Sequence, residues 1–403
     1  MFRNSKLAVL FFTMVVVMLG FGIIIPIMPF YITQFGAGGS ALGMLMAVFS
    51  LMQFLFSPIW GDLSDRFGRK NILLVGALGN ALSMVIFGLA PNLTVMFISR
   101  ALAGMLSSAT MPAAMAYISD STTERDRGQG MGVIGAAMGV GMVLGPGLGG
   151  WMGKISLSAP FFLAAALSLV AMLLMQIFLP ETVSAEIRAA ARSTRIRGPQ
   201  LGMIFKSLVG PLGFLLFLAF LVNFGLANFE GIFGLYTKER YGYGPTQVGT
   251  IMTVIGVISA IIQGALTGPV TRKLGEERVI NLSLIGSALG FVLMLAARSY
   301  AAVLVTVGFF VFSNAMLRPA IASLTSKRVR GGQGMAMGLN NAYQSLGRVV
   351  GPLWAGFLID VNLSLPYASA AVIMAVTFVM GIFWLRASAP VLAETPVIEP
   401  SGD

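Results

Sequence analysis

Cysteine and histidine are both absent from the 403 residues. Disulfides, thiol nucleophiles, histidine-based triads and Cys or His metal sites are excluded at once. Any proton chemistry is left to Asp, Glu, Lys, Arg, Tyr or water. Charge is also scarce, at 10% of residues against roughly 25% in a soluble domain. A larger core does not explain that deficit, because a soluble chain still needs a charged surface. Hydrophobic residues make up 57%. They fall in uninterrupted runs of about 20, the length that crosses a bilayer core of roughly 30 Å. The first run leads straight into further ones, which reads as a span rather than a cleavable leader.

Twelve such segments are predicted, at roughly 7–30, 41–60, 72–90, 94–119, 130–152, 160–179, 211–236, 247–267, 279–297, 301–322, 335–359 and 366–386. Prolines and glycines inside them are compatible with membrane helices, whose neighbours can satisfy freed backbone groups. With the N-terminus placed in the cytoplasm, only Lys154, Lys238, Arg240 and Arg298 of the 26 Lys and Arg face the outside. Arg100, Arg318 and Arg348 fall within spans, and the rest lie on the cytoplasmic side. The net charge of +11 therefore reports orientation, with both termini cytoplasmic, and polyanion or nucleic-acid binding is not expected.

The chain repeats itself. Gly128-Gln129-Gly130-Met131 returns as Gly332-Gln333-Gly334-Met335, Gly145-Pro146 as Gly351-Pro352, and Pro160-Phe161 as Pro366-Tyr367. The segment Gly61 to Lys70 has a degenerate echo at Gly268 to Glu277, with Gly68 matching Gly275. The expected fold is an all-α integral membrane protein whose twelve helices form two pseudo-symmetric six-helix halves, with a substrate site between them near the midplane. The halves are expected at 1–180 and 209–386, joined by a cytoplasmic linker at 181–208. The Ala/Arg/Glu-rich middle of that linker, 185–197, suits a short surface helix. The tail 387–403 has prolines, acids and no apolar run, and reads as disordered.

Two segments carry more than hydropathy. The loop between the second and third spans reads GDLSDRFGRK, with Gly61, Asp62, Asp65, Arg66, Gly68, Arg69 and Lys70. Gly61 and Gly68 permit tight turns and close helix approach, and Asp65 can accept hydrogen bonds from a facing helix N-terminus. The fifth span carries Gly132, Gly141, Gly145-Pro146 and Gly149-Gly150, a spacing that lets helices pack backbone to backbone.

On these segments the chain resembles the major facilitator superfamily, in its drug:proton antiporter branch with twelve spans. The loop matches that superfamily's signature, and the fifth-span pattern matches the signature of its antiporters. In the fourth span Ile98-Ser99-Arg100-Ala101-Leu102-Ala103-Gly104 is similar to a third signature, with Ala103 where the usual residue is Gln. ANFEGIFGLYT at 227–237 and LRPAI at 317–321 resemble segments of bacterial norfloxacin and multidrug efflux pumps, a group expected to include tetracycline pumps as well. The resemblance implies alternating access driven by a proton gradient, with no bound cofactor and no enzymatic step. It implies a small-molecule substrate, protons and the lipid bilayer as partners, a cell-membrane location, and a monomeric unit. It also implies a role in proton coupling for Arg100.

A charge at the centre of a bilayer costs about 2.5–3.5 kcal/mol on insertion scales, so each needs a reason. Glu230 is the one acid well inside a predicted span, which makes it the leading proton carrier; pairing with Arg100 is the structural alternative. Asp120 and Asp360 lie near helix ends, and Asp120 joins Glu230 and Arg100 as a proton-coupling candidate. Candidate cavity residues are Asn223, Asn314, Arg318, Asn340, Asn341, Gln344 and Arg348, with Met138, Met142, Phe229 and Phe233 as apolar lining. Arg318 shares a helix face with Asn314, and Arg348 with Asn341 and Gln344. Where the norfloxacin-type pumps have a second acid before the tenth-span arginine, this chain has Ala315, and Arg348 adds a positive charge. Both departures favour a zwitterionic, anionic or neutral substrate over a lipophilic cation. A dedicated lipid or metabolite exporter, or a proton symporter, is the alternative within transport; the fifth-span pattern argues against import.

Overall fold

A backbone inside hydrocarbon must satisfy its own hydrogen bonds, and apolar runs do so as helices. The structure, a computed structural model, describes residues 5–184, 186, 188, 189, 191, 198, 201–210, 212–329 and 333–387. Twelve long helices follow one another: α1 (Ser5–Thr33), α2 (Gly39–Phe67), α3 (Arg69–Gly88), α4 (Leu93–Ser121), α5 (Glu124–Met152), α6 (Ala159–Phe178), α7 (Gly213–Tyr241), α8 (Pro245–Leu274), α9 (Glu276–Ala296), α10 (Tyr300–Arg328), α11 (Gln333–Val361) and α12 (Leu365–Ala387). Eleven are long and apolar enough to cross a membrane. The twelfth, α11, is as long as α1 at 29 residues, but Asn340, Asn341, Gln344 and Arg348 dilute its apolar character. The expected surface helix at 185–197 falls largely outside the described residues, as does all of the tail beyond 387. A seven-residue helix, Leu201–Ser207, occupies part of the expected linker, and Tyr343 Oη of α11 donates to its Ile204 carbonyl at 2.5 Å.

Helices α4 and α10 are each interrupted at the same relative place. The first breaks after Ser107 and resumes at Thr110; the second breaks at Met316. Pro112 and Pro319 follow the breaks. A proline ring clashes with the carbonyl four residues back and donates no hydrogen bond, which puts the fault at Ser108 and Ala315. In α4 the carbonyl of Met105 is taken up by Trp60 Nε1 at 2.6 Å and Ser108 Oγ at 2.8 Å. Each of these helices also begins with a side-chain cap: Asn92 Oδ1 accepts from Val95 N at 3.0 Å, and Ser299 Oγ from Ala302 N at 3.2 Å.

The ends of the bundle are distinct. One end carries the α2–α3 turn, the start of α5, the end of α6 and the start of α7; it is called the basic end below. At the opposite end α2 crosses α11 and α5 crosses α8, and both crossings are made through glycine. A Cβ on Gly43 would lie 2.2 Å from the Pro352 carbonyl oxygen, and one on Gly150 only 2.4 Å from that of Pro245. Toward the basic end the same helices separate: nothing outside their own helices lies within 4 Å of where a Cβ would sit on Gly132, Gly135, Gly264 or Gly338. Helices α1–α6 and α7–α12 thus close on each other at the opposite end and leave an opening at the basic end. Helix α8 takes a π-helical turn at Ile262–Leu266 beside this opening, where such turns often mark a hinge.

Candidate functional site

The α2–α3 turn forms, though not in the expected way. Gly61 lies within α2, and nothing lies within 4 Å of its missing Cβ. The turn rests on Gly68 alone, at φ 98°, a conformation that side chains with a Cβ rarely adopt. A Cβ there would also strike the Glu181 carboxylate. Arg69, first residue of α3, gathers the acids. It pairs with Asp65 one turn earlier, contacts Asp120 of α4 through Nε at 3.0 Å, and donates to Ser64 Oγ at 2.6 Å. Asp65 does not cap a helix. Glu181 does, accepting the Arg69 backbone N–H at 2.9 Å along with those of Thr182 and Val183. Lys70 Nζ donates to the Gln176 carbonyl at 2.8 Å. Asp62 and Arg66 lie on the last two turns of α2. The bonds of Arg69 and Lys70 stay within α1–α6 and the residues just after α6. Asp120 therefore belongs to this basic-end cluster and is not inside the bundle.

The second half answers with its charges exchanged. Gly275 repeats the turn at φ 82°. Glu276, in the place of Arg69, pairs with Lys327, in the place of Asp120, and accepts from Ser323 Oγ at 2.9 Å. Glu277 pairs with Arg328 at 2.9 Å.

The fifth-span glycines divide by task. Gly141, Gly145 and Gly149 form the seam against α1, where added Cβ atoms would come within 2.6–2.8 Å of Val15, Leu19 and Ile23 backbone oxygens or the Met18 side chain. Gly150 and the Pro146 carbonyl meet Gly249 of α8. Gly132, expected in the same seam, faces the opening instead.

The polar residues of α7, α10 and α11 make up the interior. Glu230 is partly buried on α7 and has no ion pair or hydrogen bond among the described residues. The charges acting on it are the guanidinium groups of Arg318 and Arg348. Arg100 is not its partner. That side chain is 2% exposed, its guanidinium lies 4.2 Å from the centre of the Phe49 ring, and its Nε has no hydrogen-bond partner. A cation over a ring face is attracted by the ring quadrupole, so Arg100 is held without a carboxylate.

On α11 the inward column is Asn340, Gln344 and Arg348, one helical turn apart. Gln344 Oε1 accepts from Arg318 Nη2 at 3.5 Å, and Ser345 Oγ from Arg348 Nη2 at 2.9 Å. Asn314 and Asn340 are buried with amide groups unpaired, as is Asn228, which sequence reasoning passed over. Asn341 is exposed. Arg318 keeps solvent access between α10 and α11.

Five of the expected cavity residues lie elsewhere. Phe229 and Phe233 are fully buried. Phe229 meets Phe233, Phe310 and Tyr367 with ring centroids 5.0, 5.1 and 6.4 Å away. They build the core of α7–α12, because the helical turn that points Glu230 one way points its neighbours another. Asn223 donates to its own helix at the Ala219 carbonyl, 3.0 Å, and packs in the α7–α11 seam beside Gly347. Met138 packs against the core of α1–α6, and Met142 lies where α5 approaches α8.

Comparison with known proteins agrees with this geometry. The family model described as Major Facilitator Superfamily matches residues 10–264 and 215–400. The chain is 35% identical over 371 residues to Multidrug resistance protein 2 of Bacillus subtilis, covering 92% of each chain. It is 31% identical over 366 residues to Quinolone resistance protein NorA of Staphylococcus aureus, covering 90% of this chain and 92% of that one. Among solved structures, the nucleoside transporter NupG superposes with a TM-score of 0.80 at 12% identity, covering 94% of this chain and all of that one. Fold, motifs and relatives converge, and the chain is a multi-pass membrane protein that belongs to the major facilitator superfamily.

Proposed function

We propose that this protein exports small hydrophobic or amphiphilic compounds, drugs among them, across the cell membrane in exchange for protons. The reading is supported by the names of the relatives, which are multidrug and quinolone resistance proteins. The single observation that carries the coupling is Glu230. It is an acid without a direct partner, flanked by two cations, inside a bundle that is closed at one end and open at the other. The distribution of Lys and Arg supports a cytoplasmic location for the basic end and both termini. In the state described here the opening would then face the cytoplasm. Glu230 would release its proton there and receive substrate; rocking of the two groups of helices would close the basic end and part the α2–α11 and α5–α8 crossings. Protons from outside would then displace the substrate. Asp65, Arg66 and Arg69 would steady the basic end during that cycle. Arg100, buried and without a carboxylate, would supply a fixed positive charge in α1–α6.

The test is transport into proteoliposomes under an imposed pH gradient, for the wild type and Glu230→Gln. The wild type should concentrate a fluorescent amphiphile, and the variant should lose gradient-driven accumulation while still binding the dye. Equal accumulation by both would remove Glu230 from the proton path.

A further inference from the structure

The polar interior of α7, α10 and α11 is unbalanced in charge. Arg318 and Arg348 act on Glu230 and on each other, and no other charged group among the described residues bears on Glu230. Two guanidinium groups against one carboxylate leave a net positive charge in this cluster. Hydrogen bonding is unbalanced as well. The acceptors that meet the two arginines, Gln344 Oε1 and Ser345 Oγ, are neutral. Arg348 Nε, Asn314 Nδ2 and Asn340 Nδ2 are buried donors with no acceptor among the described residues, although Asn340 also leaves its carbonyl unpaired. Buried donors are normally satisfied, so this cluster is built for something that brings acceptors and negative charge.

Exchange against a proton adds a second requirement. Substrate and proton must compete for Glu230, so the group that docks there must be cationic. A plain cation fails at the arginines, because it adds positive charge where positive charge is already in excess. A plain anion fails at Glu230: it repels the ionised carboxylate and favours proton uptake, which would make the two travel together. A molecule bearing both charges meets each demand. Its cationic group replaces the proton at Glu230, and its carboxylate takes the free donors of the two arginines in the paired geometry that guanidinium favours.

Building on the antiport reading above, we propose that the preferred substrate is a zwitterionic amphiphile, with its cationic group at Glu230 and its carboxylate between Arg318 and Arg348. Arg348 is the residue that selects the anionic group. Gln344 positions Arg318 for the same carboxylate.

Three dyes on closely related ring systems test this in detergent or nanodiscs: rhodamine B (a zwitterion), its methyl ester (a cation) and fluorescein (an anion). Binding is followed by fluorescence anisotropy in the wild type, Arg348→Gln and Arg348→Lys. The wild type should favour rhodamine B over the ester by about tenfold, the factor given by about 1.4 kcal/mol of differential binding. Arg348→Gln should erase the preference with ester binding undiminished, which also shows that the variant is folded. Arg348→Lys, which keeps the charge, should lose only part of it, and carries the test should the glutamine variant fail to fold. Equal binding of the two rhodamines by wild type, a preference that survives Arg348→Gln, stronger binding of fluorescein, or no binding of any dye would overturn the proposal. Proton coupling is read separately, from gradient-driven uptake of whichever dye binds. Uptake of the ester that depends on Glu230, with no discrimination at Arg348, would sink the zwitterion site and leave the exporter reading standing. Arg348-dependent selection without gradient-driven uptake would do the reverse.

Discussion

Asp360 and Ser40 join the two groups of helices at the opposite end. The Asp360 carboxylate, at the last turn of α11, accepts the Ser40 backbone N–H at 2.8 Å and its hydroxyl at 2.5 Å; its other oxygen takes the Gly39 N–H at 2.7 Å. It thereby caps the start of α2 from across the interface. A carboxylate at a helix N-terminus contributes about 0.3–1 kcal/mol, and up to ~2 kcal/mol in favourable partly buried geometries.

Asp360→Asn keeps the shape and removes the charge. It should shift the protein toward the state open at the opposite end, by about fivefold for each kcal/mol lost. Because the natural chain has no cysteine, Met46→Cys supplies a single thiol at the closed crossing. Its labelling by a membrane-impermeant maleimide from the opposite side should quicken in the asparagine background. An unchanged rate would show that Asp360 does not hold the crossing shut.

Gly150→Leu should wedge α5 from α8, since a Cβ alone already lies 2.4 Å from the Pro245 carbonyl oxygen and 2.7 Å from Gly249 Cα. The bundle should rock to close its basic end. Spin labels on Gly132→Cys and Gly264→Cys, both facing open space, should report a shorter distance in this variant than without it, and transport should fall. No change in distance would mean that the α5–α8 crossing yields locally.

Phe229→Ala should cost stability and leave substrate choice unaltered. The ring is wholly buried among Phe233, Phe310 and Tyr367, and truncating such a side chain costs about 3–5 kcal/mol. Thermal unfolding in detergent should show a clear drop, while the ratio of affinities for any two bound dyes stays as in the wild type. An altered ratio would place Phe229 at the substrate.

The exchanged charges at the basic end invite a swap. Glu276→Lys alone should destabilise, because it faces Lys327 with a like charge. Adding Lys327→Glu should recover much of the loss, with a coupling energy in the range of about 0.5–3 kcal/mol for residues in contact. Melting temperatures of the two single variants and the double variant give the cycle directly. Additive losses would show that the pair contributes nothing at its partly exposed site.

Much of this protein could be read without coordinates. Apolar runs of bilayer length admit little but helices, so the spans were legible, with ends misplaced where α2 continues seven residues past its apolar stretch. Glu230 stood out because a charge in a span is costly and therefore few. Repeated motifs exposed the internal duplication, and the glycines at 141, 145 and 149 recur at the four-residue step that lines one face of a helix. Other features depend on distances between residues far apart in the chain. Neither the Asp360–Ser40 tie, 320 residues apart, nor the capping of α3 by Glu181 has a local signal. Which of Glu230, Phe229 and Phe233 faces the interior turns on the rotation of α7 within the bundle, and a helix apolar on nearly every side does not encode that rotation. The charges that act on Glu230 likewise came from packing: the sequence offered three arginines within spans, and only the crossing of α7, α10 and α11 brought Arg318 and Arg348 to bear on it and left Arg100 over Phe49. Hydrophobicity is a property of each residue and survives as a pattern along the chain, whereas charge pairing and closure belong to pairs of residues and exist only once the helices have met.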